Sequence, residues 1–330
     1  MSGVRIAITG PALRCGIVAA LLSRQWAGLG REIVVDAHWA AEDGEVLLRP
    51  GFARFHGEID FNAVGHTSCR PALAYDVEVG DDRVALPLTP FGVATRGVAF
   101  HHFWLRAANM GEGRPLSDYS LALRLHQAGK ALDGALIERL QIDSGLWVAC
   151  NAYARALLEH AGVREVATTD SCEIVIDCDA REGGWVGNVI AICADGSIPG
   201  LEWLTSVNAA RRIAKLAANL DRAGPAQREY NRLTDHEAER VSDMRVLLCG
   251  DSPAPSLNRK IALFEACGRI PLEDHEVFTQ HEWLAALWAT GHRPARYDRM
   301  GDIAPEAELK RWLNELGAQI EQISAQAIPS

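Results

Sequence analysis

The first 36 residues carry the pattern that most limits how this chain can fold. Residues 4–9 contain the apolar run Ile6-Ala7-Ile8 and predict a short buried strand, and a turn containing Gly10 follows it. Apolar residues at helical spacing come next, and residues 33–35 predict a second buried strand that ends at Asp36. A strand, a glycine turn, a helix, a strand and an acid, in that order, are typical of a βαβ unit that binds a dinucleotide. We therefore expect an α/β fold at the N-terminus.

Later segments favour the same fold class. Apolar runs at 174–176 and 189–192 predict two more buried strands, and the spacing at 148–160 predicts a helix that ends before Gly162. Residues 40–100 alternate Gly, Pro and short apolar runs, so we interpret them as loops and irregular strands with little helix. Short buried strands separated by helices fit an α/β core.

Composition excludes several classes of function. The chain has 330 residues, is 48% apolar and carries a formal charge of -10, so it can bury a core but would repel nucleic-acid phosphates. It contains no run near the about 18 apolar residues that cross a membrane, and its start lacks a secretory pattern. Eight scattered cysteines without a Cys-x-x-Cys pair predict reduced thiols and no metal site. We expect a cytoplasmic protein with no nucleic-acid or membrane partner.

Beyond the βαβ unit, several segments resemble one known family in the same order along the chain. They include a paired histidine before Phe-Trp-Leu, an Asp-Ser-Gly-Leu helix start, a strand ending in Ile-Asp-Cys, a Trp-x-x-Asn strand, and a Tyr-Asn-Arg helix. These segments are 97–106, 143–157, 176–178, 185–192 and 230–243. Together they are similar to the flavin-dependent tryptophan halogenases.

The resemblance implies an α/β, Rossmann-like FAD/NAD(P)-binding fold of the flavin-monooxygenase and halogenase type, with a helical C-terminal part. It divides the chain into a nucleotide-binding-type domain at 1–200, with a reduced substrate segment, and a helical region at 201–330 that packs on it. It implies FAD as the cofactor and an aromatic small molecule as a partner. The last helix has an apolar face that needs cover from this chain or from a second copy in a homodimer.

The glycine turn retains only part of the family's cofactor loop. The family pattern is Gly-x-Gly-x-x-Gly, and here the aligned positions are Gly10, Ala12 and Cys15. Ala12 adds a methyl group where the backbone should approach the pyrophosphate, whereas Arg14 and the start of the helix could attract phosphate. Asp36 still suits a ribose hydroxyl. The expected FAD-binding residues are therefore Gly10, Ala12, Arg14, Cys15 and Asp36, with a weakened loop.

The catalytic positions of the family are also altered. The position of its lysine corresponds closely to Arg54, and the chain has no lysine before Lys130. Arginine stays protonated and cannot replace an amine that changes its protonation state. Glu202 remains at the position of the family's glutamate, but Trp203 follows it where a small turn should admit halide. The expected site residues are therefore Glu202, which is followed by an unexpected Trp203, and Arg54, which stands in place of the family's lysine.

A further departure lies between Cys178 and Trp185, where the family carries a long segment with a Trp-x-Trp-x-Ile-Pro signature and this chain has only a few residues. Three interpretations remain. The first is a degenerate member that does not halogenate and retains flavin or aromatic-ligand binding. The second is an active FAD-dependent monooxygenase or halogenase with an indole-like substrate. The third is an unrelated NAD(P) oxidoreductase.

His101 and His102 would point to opposite faces of a strand, which disfavours a shared ligand.

Overall fold

The computed structural model describes residues 4–111, 114–169, 171–193, 195–216 and 223–329. Its contacts group the chain into two compact units. The first contains residues 1–70 and 145–239, and the second contains residues 71–144 and 240–330. This grouping differs from the division at residue 200, because the chain leaves the first unit after residue 70 and returns to it at residue 145.

The strands and helices are as follows. The strands are β1 (Arg5–Pro11), β2 (Glu32–His38), β3 (Glu45–Leu48), β4 (Cys69–Ala72), β5 (Ala74–Val79), β6 (Asp82–Pro87), β7 (Lys130–Ala131), β8 (Gly145–Ala149), β9 (Arg164–Glu165), β10 (Ile174–Ala180), β11 (Gly184–Val186), β12 (Val189–Cys193) and β13 (Ile328–Pro329). The helices are α1 (Ala12–Gln25), α2 (Phe52–Ile59), α3 (Phe100–Asn109), α4 (Leu121–Gln127), α5 (Gly134–Leu140), α6 (Cys150–Ala161), α7 (Leu201–Leu216), α8 (Ala223–Cys249), α9 (Pro255–Cys267), α10 (Gln280–Ala289) and α11 (Glu306–Ala325).

A six-stranded sheet in the order β11-β12-β10-β1-β2-β9 forms the centre of the first unit. Strand β1 pairs in parallel with β2 and β10, and β10 pairs in parallel with β12. The four strands predicted from apolar runs are these four, so their prediction is confirmed. They are apolar because helices cover a parallel sheet, as is general for this arrangement.

Helix α1 packs against α6 and α7 beside this sheet. A Cβ atom at Gly16 would lie 3.2 Å from the Ala154 carbonyl oxygen and 3.2 Å from Leu157 Cβ, so a glycine there allows α1 and α6 to approach closely. The predicted helix at 148–160 is α6, and Gly162 ends it with a φ of 62°. That prediction is confirmed.

The expectation of little helix at 40–100 is wrong for α2. Its residues Phe52, Phe55 and Ile59 are buried and lie on one helical face. The i, i+3, i+7 spacing was present in the sequence, but the neighbouring Gly and Pro residues masked it. Residues 40–100 also contain strands, among them β5 and β6, which form an antiparallel hairpin in the second unit.

In the second unit, α11 packs against α3 and α4. Its residues Leu309, Leu313, Leu316 and Ile320 are at most 9% exposed. The chain itself therefore covers these apolar residues of α11, for which the sequence analysis expected cover from this chain or from a second copy. Among the described residues, no helix combines the length and apolar character needed to cross a membrane.

Candidate functional site

The glycine turn expected from the sequence lies where β1 meets α1, and Gly10 is the second-last residue of β1. Gly10 has a φ of +128°, and a Cβ atom there would lie 3.2 Å from the Asp179 nitrogen and 3.2 Å from Cys178 Cβ. A side chain would therefore be both strained and crowded. Helix α1 begins directly afterwards, and the N-cap residue Pro11 provides no side-chain hydrogen bond to the first turn. The backbone N–H groups at this helix start consequently lack a side-chain cap.

The side chains of the first turn of α1 face the protein interior. Ala12 is 3% exposed, Arg14 is 1% exposed and Cys15 is fully buried. The methyl group of Ala12 belongs to the hydrophobic core of the first unit. These three side chains therefore offer almost no surface to a nucleotide, although the sequence placed all three at the cofactor.

Arg14 is bonded to the edge of the sheet. Its Nε donates to Ser206 Oγ at 2.9 Å, and its Nη2 donates to the carbonyl oxygens of Ile192 and Cys193 at the end of β12. Ser206 Oγ donates in turn to the backbone carbonyl of Glu202 at 2.6 Å. The guanidinium thus ties α1, β12 and α7 together, a role that the sequence did not indicate.

Glu202 lies in the first turn of α7, close to this guanidinium. Burial raises the pKa of its carboxyl, and the positive charges of Arg14 and Arg49 partly oppose the increase. Among the described residues, its Oε2 atom is buried without a hydrogen-bond partner. Gly200 positions the start of the helix, since a Cβ atom there would lie 2.5 Å from the Leu47 carbonyl oxygen. A carboxyl in this environment takes up a proton more readily than an exposed one.

Arg54 lies on α2 with 78% of its side chain exposed, and its Nε is 2.9 Å from Glu58 Oε1. Glu58 also receives a hydrogen bond from Arg211 Nε at 2.9 Å. In the part of the chain that the structure describes, Arg54 forms its hydrogen bond and ion pair with Glu58 and not with Glu202. The two residues predicted as catalytic therefore differ in environment, since one faces solvent and the other is largely buried.

The other predicted cofactor residues differ in their exposure. Asp36 is half-buried near the end of β2. Cys15 lies 3.3 Å from the Gly10 carbonyl oxygen, to which its thiol donates. Interaction with Cys178 and burial raise the pKa of the Cys15 thiol far above its usual value. Cys15 is consequently a buried, protonated thiol, whereas Asp36 remains accessible.

The paired histidines lie on helix α3 and not on a strand, so the argument from opposite strand faces does not apply to them. Their rings are 4.1 Å apart. His101 Nε2 lies 2.7 Å from the Gly268 carbonyl oxygen, and His102 Nδ1 accepts from the Asp298 amide at 3.1 Å. Burial lowers the pKa of His102 to about 4. Both rings are engaged in packing, and among the described residues no group of three His, Cys, Asp or Glu could hold a metal.

Part of the chain also matches a known protein family. A family model described as tryptophan halogenase matches residues 147–306. Residues 147–306 are therefore similar to the tryptophan halogenase family. The matched residues include Glu202, whereas Arg54 and the Gly10 turn precede them. No curated protein matches the chain by sequence.

Several solved structures share the fold of this chain. BrvH, a flavin-dependent halogenase from Brevundimonas sp. BAL3, superimposes with a TM-score of 0.81 at 18% identity, over 98% of this chain and 97% of that one. Xcc4156, a flavin-dependent halogenase from Xanthomonas campestris, has a TM-score of 0.80 at 16% identity, over 100% and 97% of the two chains. The tryptophan 6-halogenase SttH from Streptomyces toxytricini has a TM-score of 0.76 at 11% identity, over 99% and 98%. The predicted Rossmann-like fold class is thereby confirmed.

Proposed function

We propose that this chain is a member of the tryptophan halogenase family that binds FAD weakly and does not halogenate tryptophan. The observation that carries the proposal is the burial of the first turn of α1, with Arg14 bonded to Ser206 and to the end of β12. A guanidinium engaged with protein carbonyls is unavailable to a diphosphate unless those hydrogen bonds break.

Some features of the turn fit FAD. Gly10 has a positive φ, the N–H groups of α1 lack a side-chain cap, and Asp36 is accessible for a ribose hydroxyl. FAD supplies redox chemistry with oxygen when it is bound. The contribution of this chain would come from backbone N–H groups and Asp36, because the side chains of Ala12 and Cys15 are buried. Few contacts of this kind support weak binding.

The residues of this chain support halogenation by the family's route less than they support FAD binding. The position of the family's lysine is occupied by Arg54, whose side chain is mostly exposed and paired with Glu58. Trp203 is only partly buried and packs against the core, next to Glu202. An indole occupies the position at which the resemblance implies a small halide-binding turn.

The alternative is an active FAD-dependent monooxygenase that acts on an aromatic substrate. It is favoured by Glu202, because burial raises the pKa of this carboxyl and a protonated carboxyl can act as a general acid. Under this alternative the missing lysine would prevent halogenation only and would leave oxygen transfer intact.

The proposal is tested by the visible absorption spectrum of the purified protein and by titration with FAD. We expect no yellow cofactor after purification and a Kd weaker than about 1 μM. Asp36→Ala should weaken the remaining binding further, whereas Asp82→Ala, a change on the exposed hairpin of the second unit, should leave it unaltered. Stoichiometric bound flavin in the purified protein would contradict the proposal.

The halogenation part has its own test. Arg54→Lys should not produce chlorotryptophan when reduced FAD, oxygen and chloride are supplied, because the side chain at this position faces solvent and is paired with Glu58. Chlorotryptophan formed by either the parent chain or this variant, detected by mass spectrometry, would refute it. Hydroxylated indole without chlorinated product would instead support the monooxygenase alternative.

A further inference from the structure

A cavity of about 270 Å³ opens on the surface of the second unit. Phe103, Leu309 and Trp312 line it, together with Ile303 and two residues of opposite charge, Arg96 and Glu308. Nothing in the function proposed above uses this cavity. Its dimensions are meaningful because an apolar cavity of about 150 Å³ is enough to hold benzene. The volume here therefore has room for about two fused aromatic rings.

The apolar part of the cavity is rigid on one side and open on the other. The rings of Phe103 and Trp312 meet edge to face, with centroids 5.4 Å apart and planes at 86°. Phe103 and Leu309 are almost fully buried, which fixes their positions. Met300 and Ile303, in contrast, are 51% and 45% exposed. A flat apolar ligand would cover these two side chains and gain the free energy of removing them from water.

The polar part is presented by an unusual turn. The backbone N–H and carbonyl groups of Thr95 and Val98 bond to each other at 3.1 and 3.0 Å, which closes a turn with Arg96 and Gly97 at its centre. Both central residues have positive φ, 54° and 78°. Turns of this type favour Asn followed by Gly, because an ordinary side chain is strained at the first position.

Arginine therefore occupies a position where the turn alone would favour asparagine. In the described parts of the chain, the guanidinium of Arg96 has no ion-pair or hydrogen-bond partner that would offset the strain. Strained residues of this kind concentrate at ligand sites. Glu308, on the exposed surface of α11, is an ordinary solvated residue by comparison, and its charge disfavours a ligand with two negative groups.

We propose that this cavity binds a small aromatic anion, with one or two rings placed against Phe103 and Trp312 and a single carboxylate paired with Arg96. The guanidinium matches a carboxylate with two parallel hydrogen bonds. The inference does not depend on the proposed FAD binding, because every lining residue belongs to the second unit.

The test uses 2-naphthoate as the probe, with binding followed by calorimetry on the full chain. Arg96→Asn should weaken binding at least about tenfold, the change expected for loss of a charge-assisted hydrogen bond. The same variant should unfold at a higher urea concentration than the parent, because asparagine suits the turn. Loss of binding together with a gain in stability cannot result from damage to the fold.

Three comparisons complete the experiment. The neutral analogue 2-naphthalenemethanol should bind more weakly than 2-naphthoate to the parent and should not respond to Arg96→Asn. Glu308→Gln should tighten 2-naphthoate binding, because a nearby negative charge is removed. Arg83→Asn, at an arginine of the β5–β6 hairpin that is paired with Asp76, is the matched control and should bind as the parent does.

Either of two results would overturn the inference. One is 2-naphthoate binding that is absent, or is unchanged in Arg96→Asn. The other is tighter binding of the cationic analogue 2-naphthylmethylamine, which would indicate that Glu308 is the recognising group. FAD titrated in parallel should bind the parent and Arg96→Asn equally, so failure of this inference is distinct from failure of the proposed function.

Discussion

Acid should destabilise the first unit through His56. The ring of His56 packs among the aromatic side chains of Phe52, Phe55 and Phe61, and the Tyr153 hydroxyl lies 2.6 Å from its Nε2. Burial lowers the pKa of His56 to about 4, against an ordinary value of 6.5. Between these two values the unfolded chain binds a proton that the folded chain excludes, so the free energy of unfolding decreases as the pH falls.

The magnitude follows from the two pKa values. Between pH 7 and pH 5 the difference in proton binding amounts to about 2 kcal/mol for this residue, and the full effect is reached below pH 4. The measurement is urea unfolding at pH 7 and pH 5, for the parent and for His56→Gln. Glutamine keeps a polar group near the Tyr153 hydroxyl but does not titrate. We expect the variant to lose about 2 kcal/mol less than the parent between the two pH values.

A matched control is His38→Gln, which changes an exposed histidine at the end of β2. This variant should lose as much stability on acidification as the parent. If His56→Gln also loses as much as the parent, then the buried ring does not titrate as the structure indicates, and the reasoning from burial fails.

Two further predictions concern the polar cluster at α1 and α7. Arg14→Met should lower the free energy of unfolding by about 3 kcal/mol or more, because it leaves Ser206 Oγ and two carbonyl oxygens without their donor. Ser206→Ala should lower the free energy of unfolding less, because Arg14 keeps its two carbonyl partners. Glu202→Gln should stabilise the protein at pH 8 relative to the parent and much less at pH 4, since burial disfavours the charged carboxylate. Urea unfolding tests both, and a pH-independent gap between Glu202→Gln and the parent would contradict the second.

The sheet was predictable from the sequence for a simple physical reason. Strands β1, β2, β10 and β12 are central, and their apolar runs of Ile and Val are continuous because both faces of the sheet are covered. Helix α2 was not predicted, although Phe52, Phe55 and Ile59 have helical spacing. An eight-residue helix shows only two turns of this spacing, and the adjacent Pro50 and Gly51 favour a loop interpretation.

The site was predictable only where a backbone conformation requires one residue type. Gly10 satisfied that condition, and the structure gives it a φ that other residues rarely adopt. Arg14 did not, because its role depends on partners such as Ser206, which is 192 positions away in the sequence. Local patterns contain no information about such partners. A charged residue at a helix start was therefore interpreted as a phosphate ligand, when it is a buried structural donor.

The glycines at the junction of β1 and α1 and within α1 distinguish what the fold requires from what a nucleotide would require. Gly10 is required by the backbone of the turn, and Gly16 is required by the close approach of α1 and α6. Both are present. Position 12, where a glycine would serve the approach of a diphosphate, carries a methyl group that is buried in the core. Gly10 and Gly16 therefore have structural roles in this chain, whereas the resemblance places Ala12 at a position whose family role concerns the ligand. This pattern agrees with the proposed weak binding of FAD, and the buried Arg14 that donates to Ser206 and to the end of β12 fits the same proposal.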